Sequence, residues 1–493
     1  MKINLKNVLI FASIAIVAMS VIVRIIMYIK CRSLWVDEAA LAESIVSRNW
    51  LDLLATPLSN SQSAPVLYVI AVKAIGSIFG YSEFFLRIFS FFSFICLLIC
   101  EIVFLKKIFN FNNLQNCFIV VMSALLPSYI WYSNELKPYM SDALFVLLII
   151  LLYFYYTQGK IKLPILTFLY ILILGFSSPA IFFIGGTLLF EFISAFLNKN
   201  KKQMLYIAIS GKIILLIFAL YYHWWMQPVS EFMKIYWDNY DRNRNIMGRI
   251  ALIFSANKER SGYLFYLWVF VPFAGIGIYS LCKSKNKIAC SLVLSLAFAF
   301  LASSIGKWPL NGRLWLFLPL IVFIFTPIGV DIVFSRIKNK KIMSTIGFYF
   351  LLALILYLSV NCLRFAKHRM YFHKYEINPL ISYVQKNIKD DEKLYVYGGA
   401  RCTFQYKNGY GATKIGNAAD NNIIYGKDAD EWNASVLGNE MQSILENKKT
   451  YLIFYNHYDE IENGLTVLRK YGNLTEIMNV YDTPLYYFER NAD

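Results

Sequence analysis

Charged residues are scarce in this chain. Only 16% of its 493 residues are Asp, Glu, Lys or Arg, whereas 58% are hydrophobic, and the mean hydropathy is +0.49. This much apolar surface is too large for the core of an ordinary soluble domain, so that class of protein is excluded. Paired cysteine and histidine motifs are also lacking, because the eight cysteines are scattered along the chain. The sequence therefore predicts neither a disulfide framework nor a cysteine metal site.

The sequence contains long apolar runs, which are typical of membrane-spanning helices. About 20 apolar residues span the hydrocarbon core of a bilayer, and eleven stretches near that length are predicted to be transmembrane helices. The first has no clear small-residue cleavage site, so we interpret it as an uncleaved helix and not as a signal peptide. The predicted spans are residues 7–29, 84–105, 115–133, 139–157, 161–176, 178–196, 203–224, 263–281, 288–305, 314–334 and 343–361.

The basic residues predict the orientation of these spans. They fall in short clusters between alternate spans, so the net charge of +17 indicates membrane topology and not a nucleic-acid partner. The clusters taken as cytoplasmic are Lys106–Lys107, Lys160 with Lys162, Lys199 with Lys201 and Lys202, Lys283 with Lys285 and Lys287, and Arg336 with Lys338, Lys340 and Lys341. The N-terminus is then cytoplasmic, and the segment after the last span is extracytoplasmic.

One apolar stretch, residues 64–80, does not fit as a span. It is short, carries Lys73 near its middle, and would place Lys106 and Lys107 outside if it were counted. We predict a helix in the plane of the outer interface, with Lys73 reaching water. The first external loop then runs from about residue 30 to 83.

The pattern changes to mixed polar sequence after residue 362. Residues 377–388 have a helical signal, and residues 393–399 are strand-like. We predict a transmembrane catalytic domain over residues 1–362 and a small extracytoplasmic α/β domain over residues 363–493. The second domain has no recognisable nucleophile, phosphate loop or metal cluster, so we expect it to support a site and not to perform the chemistry.

Two adjacent acids, Asp37 and Glu38, follow the first span at the outer membrane surface. A carboxylate there can accept the proton of an attacking hydroxyl, and such base catalysis typically contributes roughly 10²- to 10⁴-fold. The same acids also suit the positive N-terminal end of a surface helix, without any role in chemistry. The acids alone leave both interpretations open.

Four basic residues map to the outer ends of predicted spans: Arg87, Lys137, Lys307 and Arg313. Positive charge at this level would stabilise a phosphate leaving group, on which negative charge builds in the transition state. Any one of them is equally explained as an anchor that reaches the interface. Their position on one side of the membrane is what favours a shared role.

The order and spacing of these motifs resemble the GT-C superfamily of membrane glycosyltransferases. The similar branch contains the protein O-mannosyltransferases, the lipid A aminoarabinose transferase and the rhizobial lipopolysaccharide-core glycosyltransferases. The motifs are W-x-D-E at Trp35–Glu38, P-x-L-Y at Pro65–Tyr68, F-G-x-S-E-x-x-x-R at Phe79–Arg87, Y-S-x-E-x-[RK]-P-Y at Tyr132–Tyr139 and P-L-x-x-R at Pro309–Arg313. The resemblance covers most of residues 7–335 and fades after residue 362.

The resemblance implies a fold class and a function. The fold is an α-helical polytopic membrane protein of the GT-C type, with about eleven transmembrane helices, in-plane outer helices and the small C-terminal α/β domain. The function is transfer of a monosaccharide from a polyprenyl-phosphate donor to a lipid, glycan or protein acceptor outside the bacterial inner membrane.

The resemblance also assigns residue roles. Asp37 is implied as the general base with Glu38 beside it, and Arg87, Lys137 and Arg313 as the residues that bind the donor phosphate. Further implied donor or acceptor contacts are Glu135, Tyr139, Lys307, Gln62 and Tyr68. Participation of a divalent metal is left open, with Glu38 and Glu135 as its candidate ligands.

The chain departs from the family pattern at two places. Gln62, Ser63 and Ala64 precede Pro65, where related sequences often carry His or Lys. Lys137 stands where Arg is common, which keeps the positive charge but loses bidentate geometry.

Two other classes of membrane protein compete with a transferase. A transporter of lipid-linked sugars would place its polar groups near the membrane midplane, whereas these charges lie at the outer interface. A polysaccharide polymerase or ligase would act on the same face but with oligosaccharide diphosphate donors. For a transferase with one base and one phosphate site, we predict direct displacement at C1 with inversion.

Overall fold

The computed structural model describes most of the chain. The described residues are 5–59, 62–227, 269–309, 312–335, 357, 359–360, 363–364, 367, 376–410, 422–427, 434–455 and 458–491. The last predicted span, residues 343–361, lies almost entirely outside them, as does the predicted basic cluster at residues 336–341.

The described part of the chain is mainly helical. The helices, labelled in chain order, are α1 (Leu5–Lys30), α2 (Val36–Ser47), α3 (Trp50–Ala55), α4 (Val66–Phe79), α5 (Glu83–Cys100), α6 (Lys106–Phe109), α7 (Asn113–Leu125), α8 (Pro127–Tyr132), α9 (Tyr139–Thr157), α10 (Leu163–Phe176), α11 (Ala180–Leu197), α12 (Lys201–Tyr221), α13 (Val271–Lys283), α14 (Lys287–Ser304), α15 (Phe317–Ser335), α16 (Asn378–Asn387), α17 (Arg401–Tyr410), α18 (Ala434–Ile444) and α19 (Tyr458–Arg469). Short π-helical segments continue α5 at Glu101–Leu105 and α12 at Tyr222–Met226, and 3-10 turns occur at Gly312–Trp315 and Gly398–Ala400.

Seven helical stretches in the described residues are long and apolar enough to cross a membrane. They are Asn7–Lys30, Glu83–Phe109, Tyr139–Thr157, Ala180–Leu197, Lys201–Met226, Lys287–Ser304 and Phe317–Ser335. Three shorter apolar helices, α7, α10 and α13, coincide with further predicted spans, and α4 coincides with the predicted in-plane helix. The chain is a multi-pass membrane protein, and the predicted α-helical polytopic fold class is confirmed.

The predicted span at residues 115–133 is not one continuous helix. It consists of α7 and α8, which are separated at Leu126, where the backbone is extended with ψ of 117°. Pro127 follows directly, and a proline disfavours helical backbone in the residue before it. Pro127 then occupies the first turn of α8, a position where its missing N–H costs nothing.

The chain divides into two compact units, which are described separately. The first unit comprises Met1–Tyr28, Ser63–Val72 and Arg87–Lys367, and the second comprises Ile29–Gln62, Lys73–Leu86 and His368–Asp493. Most of the predicted external loop is therefore part of the same compact unit as the C-terminal segment.

Small residues allow close helix packing in the first unit. A Cβ atom at Gly329 would lie 1.8 Å from the carbonyl oxygen of Phe273, and one at Gly277 would lie 2.4 Å from the carbonyl oxygen of Phe325. Helices α13 and α15 thus approach backbone to backbone, which only glycine permits at these two points. Such close contact is a common way for helices to associate in lipid, where no hydrophobic effect drives them together.

The second unit contains a five-stranded sheet. Its strands are β1 (Lys393–Val396), β2 (Ile423–Tyr425), β3 (Lys449–Ile453), β4 (Gly472–Asn479) and β5 (Pro484–Arg490), in the spatial order β2-β1-β3-β5-β4. Strand β1 pairs in parallel with β2 and β3, whereas β5 is antiparallel to both β3 and β4. Residues of α16, α18 and α19 join the strands in one apolar core. The predicted C-terminal α/β segment is thus confirmed as a fold.

Candidate functional site

The two adjacent acids have different surroundings in the second unit. Asp37 and Glu38 lie in the first turn of α2, about 100° apart around the helix axis, so only one of them faces inward. Glu38 is fully buried, pairs with the Arg32 guanidinium at 3.1 Å, and accepts the backbone N–H of Trp35 at 3.4 Å. Asp37 is half-exposed. Glu38 therefore holds the start of its own helix, and Asp37 is the more exposed of the two carboxylates.

The C-terminal end of α2 is held by a buried ammonium group. Lys73 on α4 is only 4% exposed and donates to the carbonyl oxygens of Ile45 at 2.8 Å and Arg48 at 2.6 Å. A cation at this position is favoured by the negative end of the helix dipole. The prediction that Lys73 reaches water is wrong, because the free carbonyl groups that end α2 satisfy its charge instead.

Helix α2 also packs against the C-terminal segment of its unit. It contacts α17, and the side chains of Trp35 and Val36 lie against the apolar core of the sheet. The acid-bearing helix is thus supported by residues more than 300 positions away in sequence. No local sequence signal predicts this support.

The F-G-x-S-E segment, residues 79–83, is anchored on the same helix α17. Lys407 pairs with Glu83 at 2.9 Å, and the Tyr406 hydroxyl donates to the carbonyl oxygen of Tyr81 at 2.7 Å. Both partners in the ion pair are largely shielded from solvent, with side-chain exposures of 14% and 10%. The pair therefore fixes the turn between α4 and α5.

Gln62 lies at the end of the external loop. Its side chain is partly buried, and its backbone N–H donates to the carbonyl oxygen of Ser59 at 3.2 Å. Its predicted contact with a substrate stays a prediction.

In the first unit, a chain of hydroxyl groups joins α4, α5 and the turn before α9. The Ser90 hydroxyl donates to the carbonyl oxygen of Lys137 at 3.0 Å and lies 3.2 Å from the hydroxyl of Tyr68. Because the Ser90 proton is used toward Lys137, the Tyr68 hydroxyl is the donor in the second bond. Arg87 lies one turn before Ser90 on α5 and is 3% exposed. This arrangement brings Arg87 to the helix face that meets the Lys137 turn.

The Lys137 turn is itself buried, although its sequence is polar. Ser133, Glu135 and Lys137 are all less than 9% exposed. The Lys137 N–H donates to the carbonyl oxygen of Glu135 at 2.9 Å, which keeps the turn tight. Buried charges are costly unless they are paired, so a buried acid and a buried base two residues apart are unusual for a simple surface turn. The burial of these residues shows that the segment is not a solvated surface turn.

Arg313 reaches the same turn from a distant part of the chain. Its guanidinium carbon lies 5.9 Å from the centre of the Tyr139 ring, whose edge packs on Tyr132 with ring centres 5.2 Å apart. The 3-10 turn that carries Arg313 is fixed by a bond from the Trp315 indole N–H to the carbonyl oxygen of Pro309 at 3.0 Å. A guanidinium at this distance from an aromatic ring is attracted by the negative charge of the ring face.

Lys307 is placed differently from the other basic candidates. It is exposed just after α14, and its backbone N–H donates to the carbonyl oxygen of Ala302 at 2.8 Å. No hydrogen bond or ion pair among the described residues joins its side chain to the Lys137 turn. Its predicted role stays a prediction.

Glu38 and Glu135 are the candidate ligands for a divalent metal. In the described portion of the chain, no three His, Cys, Asp or Glu side chains are grouped as a metal site. Glu38 is already engaged by Arg32.

Sequence reasoning missed three groups that organise the candidate site. Arg32 pairs with Glu38, Ser90 links two segments of the first unit, and Lys407 pairs with Glu83. Arg32 carried a usable signal, because a lone base shortly before two acids predicts an ion pair. Ser90 and Lys407 carried none, since each contacts a partner on another element.

No protein-family model matches the chain, and no curated protein matches it either. Solved structures do match. ArnT from Cupriavidus metallidurans bound to undecaprenyl phosphate is 9% identical, with a TM-score of 0.55 over 96% of this chain and 97% of that one. The apo state of the same ArnT gives a TM-score of 0.53 at 11% identity.

A third match is more distant in origin. The archaeal oligosaccharyltransferase AglB from Archaeoglobus fulgidus, in complex with an inhibitory peptide and a dolichol-phosphate, has a TM-score of 0.50 at 11% identity, over 98% of this chain and 74% of that one. ArnT and AglB are both members of the GT-C superfamily. The chain has the GT-C fold, as the motif order predicted.

Proposed function

We propose, with the GT-C fold as the premise, that the protein transfers a monosaccharide from a polyprenyl-phosphate donor to an acceptor hydroxyl outside the membrane. One observation carries the proposal: three basic residues from three separate segments, the buried Arg87 and Lys137 and the partly buried Arg313, are grouped at one turn of an apolar helical unit. A group of positive charges in an apolar helical unit suits the recognition of an anionic group, on which they can stabilise growing negative charge. A phosphate on a lipid carrier is an anion that enters from the membrane.

The neighbours support this choice of donor. The ArnT structure holds undecaprenyl phosphate and the AglB structure holds a dolichol-phosphate, which are both polyprenyl-type phosphates. The acceptor class stays open between lipid, glycan and protein.

In the proposed reaction, the acceptor oxygen attacks C1 of the donor sugar and the C1–O bond to the phosphate breaks. Asp37 accepts the acceptor proton, and the polyprenyl phosphate leaves with the bonding electron pair. Negative charge grows on the phosphate oxygens, and Arg87, Lys137 and Arg313 stabilise it. One base and one leaving-group site suffice for a single displacement, so the product is expected to have the inverted anomeric configuration.

We also propose the placement in the cell. The basic clusters support an N-terminus in the cytoplasm and an α/β segment outside the inner membrane of a bacterium. The transmembrane part, residues 1–362, would bind the carrier, and residues 363–493 would work together with the external loop.

The test measures transfer of radiolabelled sugar from a set of polyprenyl-monophosphate sugars in membranes with matched amounts of protein. Asp37→Asn is expected to lower turnover by roughly 10²- to 10⁴-fold, as loss of a general base does. Arg87→Ala is expected to lower it by roughly 10²-fold or more, as loss of a charge-stabilising donor does.

Two control variants repeat the chemical changes elsewhere. Asp52→Asn changes an exposed carboxylate on α3 of the same external loop, and Lys162→Ala removes an exposed base before α10. Both should keep wild-type turnover. Full activity of Asp37→Asn would refute the base assignment. Absence of any monophosphate-dependent transfer by the wild type would refute the proposed function and favour a polymerase, ligase or transporter.

A further inference from the structure

We infer that the C-terminal α/β segment takes part in catalysis by positioning the base, with Glu376 as the positioning residue. The inference rests on the proposed function, because it concerns how Asp37 is held. Glu376 does not touch the substrate in this account. It acts through Ser33, which lies four residues before Asp37.

The contact between Glu376 and Ser33 is multiple. The Ser33 backbone N–H donates to the two carboxylate oxygens of Glu376 at 3.1 and 3.3 Å, and the Ser33 hydroxyl donates to the same carboxylate. The Ser33 hydroxyl oxygen in turn accepts the backbone N–H of Asn378 at 3.3 Å. Hydrogen bonds to a charged acceptor are roughly twice as strong as neutral ones, and Ser33 is buried.

The position at the start of α16 strengthens the contact. The N-cap residue of α16, Ile377, has no side chain that can accept a hydrogen bond, so the first N–H groups of the helix need partners from elsewhere. Ser33 supplies an acceptor for Asn378, and the Glu376 carboxylate lies at the positive end of the helix dipole. A loop from the N-terminal third of the chain thus completes a helix of the C-terminal segment.

The connection from Ser33 to Asp37 is short and tightly packed. Leu34 is buried, and Trp35 and Val36 lie against the apolar core that includes α16 residues. The other end of α2 is held by Lys73. With both ends fixed, the position of Asp37 depends on where Ser33 is held, and a displacement of about 1 Å in a catalytic group can cost roughly 10²-fold in rate.

The decisive variant is Glu376→Ala, compared with Glu392→Ala. Glu392 is a buried carboxylate of the same segment, but it lies after the opposite end of α16, where it accepts the Tyr487 hydroxyl at 2.8 Å and the Lys389 N–H at 2.9 Å. Loss of either carboxylate removes partly buried hydrogen bonds, so general destabilisation should affect both variants. Only Glu376→Ala should affect the external loop.

The first readout is hydrogen exchange of the full-length protein in detergent, which does not depend on the reaction. Glu376→Ala is expected to speed amide exchange across residues 33–39 by at least tenfold, while Glu392→Ala leaves that segment at the wild-type rate. Unchanged exchange in Glu376→Ala would overturn the inference, even if the wild type transfers sugar.

The second readout is kinetic. Glu376→Ala should lower kcat by roughly 10- to 100-fold with the KM for the donor unchanged within about twofold, because only the base is displaced. In an Asp37→Asn background, Glu376→Ala should cause no further loss, since its effect passes through Asp37. An equal loss in both backgrounds, or the same kcat loss from Glu392→Ala, would overturn the positioning role.

Different results would refute the proposed function and the positioning role of Glu376. If Asp37→Asn keeps full activity, the proposed base is wrong whatever Glu376→Ala does. If Asp37→Asn abolishes transfer and Glu376→Ala keeps wild-type kcat, the proposed function stands and the positioning role is refuted.

Discussion

Glu38→Gln should destabilise the start of α2, whereas Asp37→Asn should abolish sugar transfer without destabilising the helix. The two variants therefore distinguish the roles of two neighbouring acids. The Glu38 carboxylate lies 3.1 Å from the Arg32 guanidinium, and the two side chains are 0% and 12% exposed. At an effective dielectric constant of about 20, two unit charges at that distance attract by about 5 kcal/mol. Gln keeps the size and one acceptor oxygen of Glu, and Arg32 can partly rehydrate, so the expected net cost to the first turn of α2 is about 3 kcal/mol.

This cost can be measured as local opening of α2. A difference of about 3 kcal/mol corresponds to a roughly 10²-fold rise in the opening constant, and therefore in amide exchange by the first turn. Hydrogen exchange of the purified protein in detergent should show this rise for Glu38→Gln. Asp37→Asn should exchange at nearly the wild-type rate, because Asp37 is half-exposed, and yet should lose sugar transfer.

If Glu38→Gln leaves the exchange of α2 unchanged, the Arg32 pair does not hold the helix. If Asp37→Asn speeds exchange as much as Glu38→Gln does, the assignment of one acid to structure and the other to chemistry is refuted.

Three further variants test the packing of each unit. Lys73→Met removes two hydrogen bonds of a cation, each of which contributes about 1.5 to 3 kcal/mol. Amide hydrogen exchange at the C-terminal end of α2, measured by mass spectrometry, should therefore rise at least tenfold. Lys407→Met leaves the shielded Glu83 carboxylate without its cation, so the unfolding temperature in detergent should fall by several degrees. Adding Glu83→Gln should recover part of the lost unfolding temperature. No recovery would contradict the pairing. Gly329→Ala would place a Cβ 1.8 Å from a backbone oxygen, so it should lower the unfolding temperature measured by tryptophan fluorescence. Gly275→Ala, whose Cβ would have no atom within 4 Å, should not lower it. Equal unfolding temperatures would refute the close approach of α13 and α15.

Much of the fold was predictable because the signals were local. A membrane helix satisfies its own backbone hydrogen bonds, so length and hydropathy alone indicate most spans. The break at Leu126 could have been predicted from Pro127. It was missed because hydropathy is averaged over many residues, and a single proline changes that average little. A helical position for Asp37 and Glu38 was one of the two interpretations that their place after the first span allowed.

The errors and omissions come from tertiary partners. Lys73 in an apolar run suggests a side chain that reaches water, because the sequence does not show that the carbonyl groups ending α2 lie beside it. The different burial of Asp37 and Glu38 is equally invisible, since adjacent acids look equivalent until the helix is placed. Lys407 is 324 residues from Glu83, and no periodicity connects them.

The link between Ser33 and Glu376 has a consequence for how the protein is made. The two residues are 343 positions apart, so a ribosome adding roughly 5 to 20 residues per second needs on the order of 20 to 70 s between them. During that time the membrane helices emerge and insert, while the segment before α2 has no carboxylate to bind. Asp37, the proposed base, would therefore acquire this support only after the C-terminal segment has been synthesised and has folded.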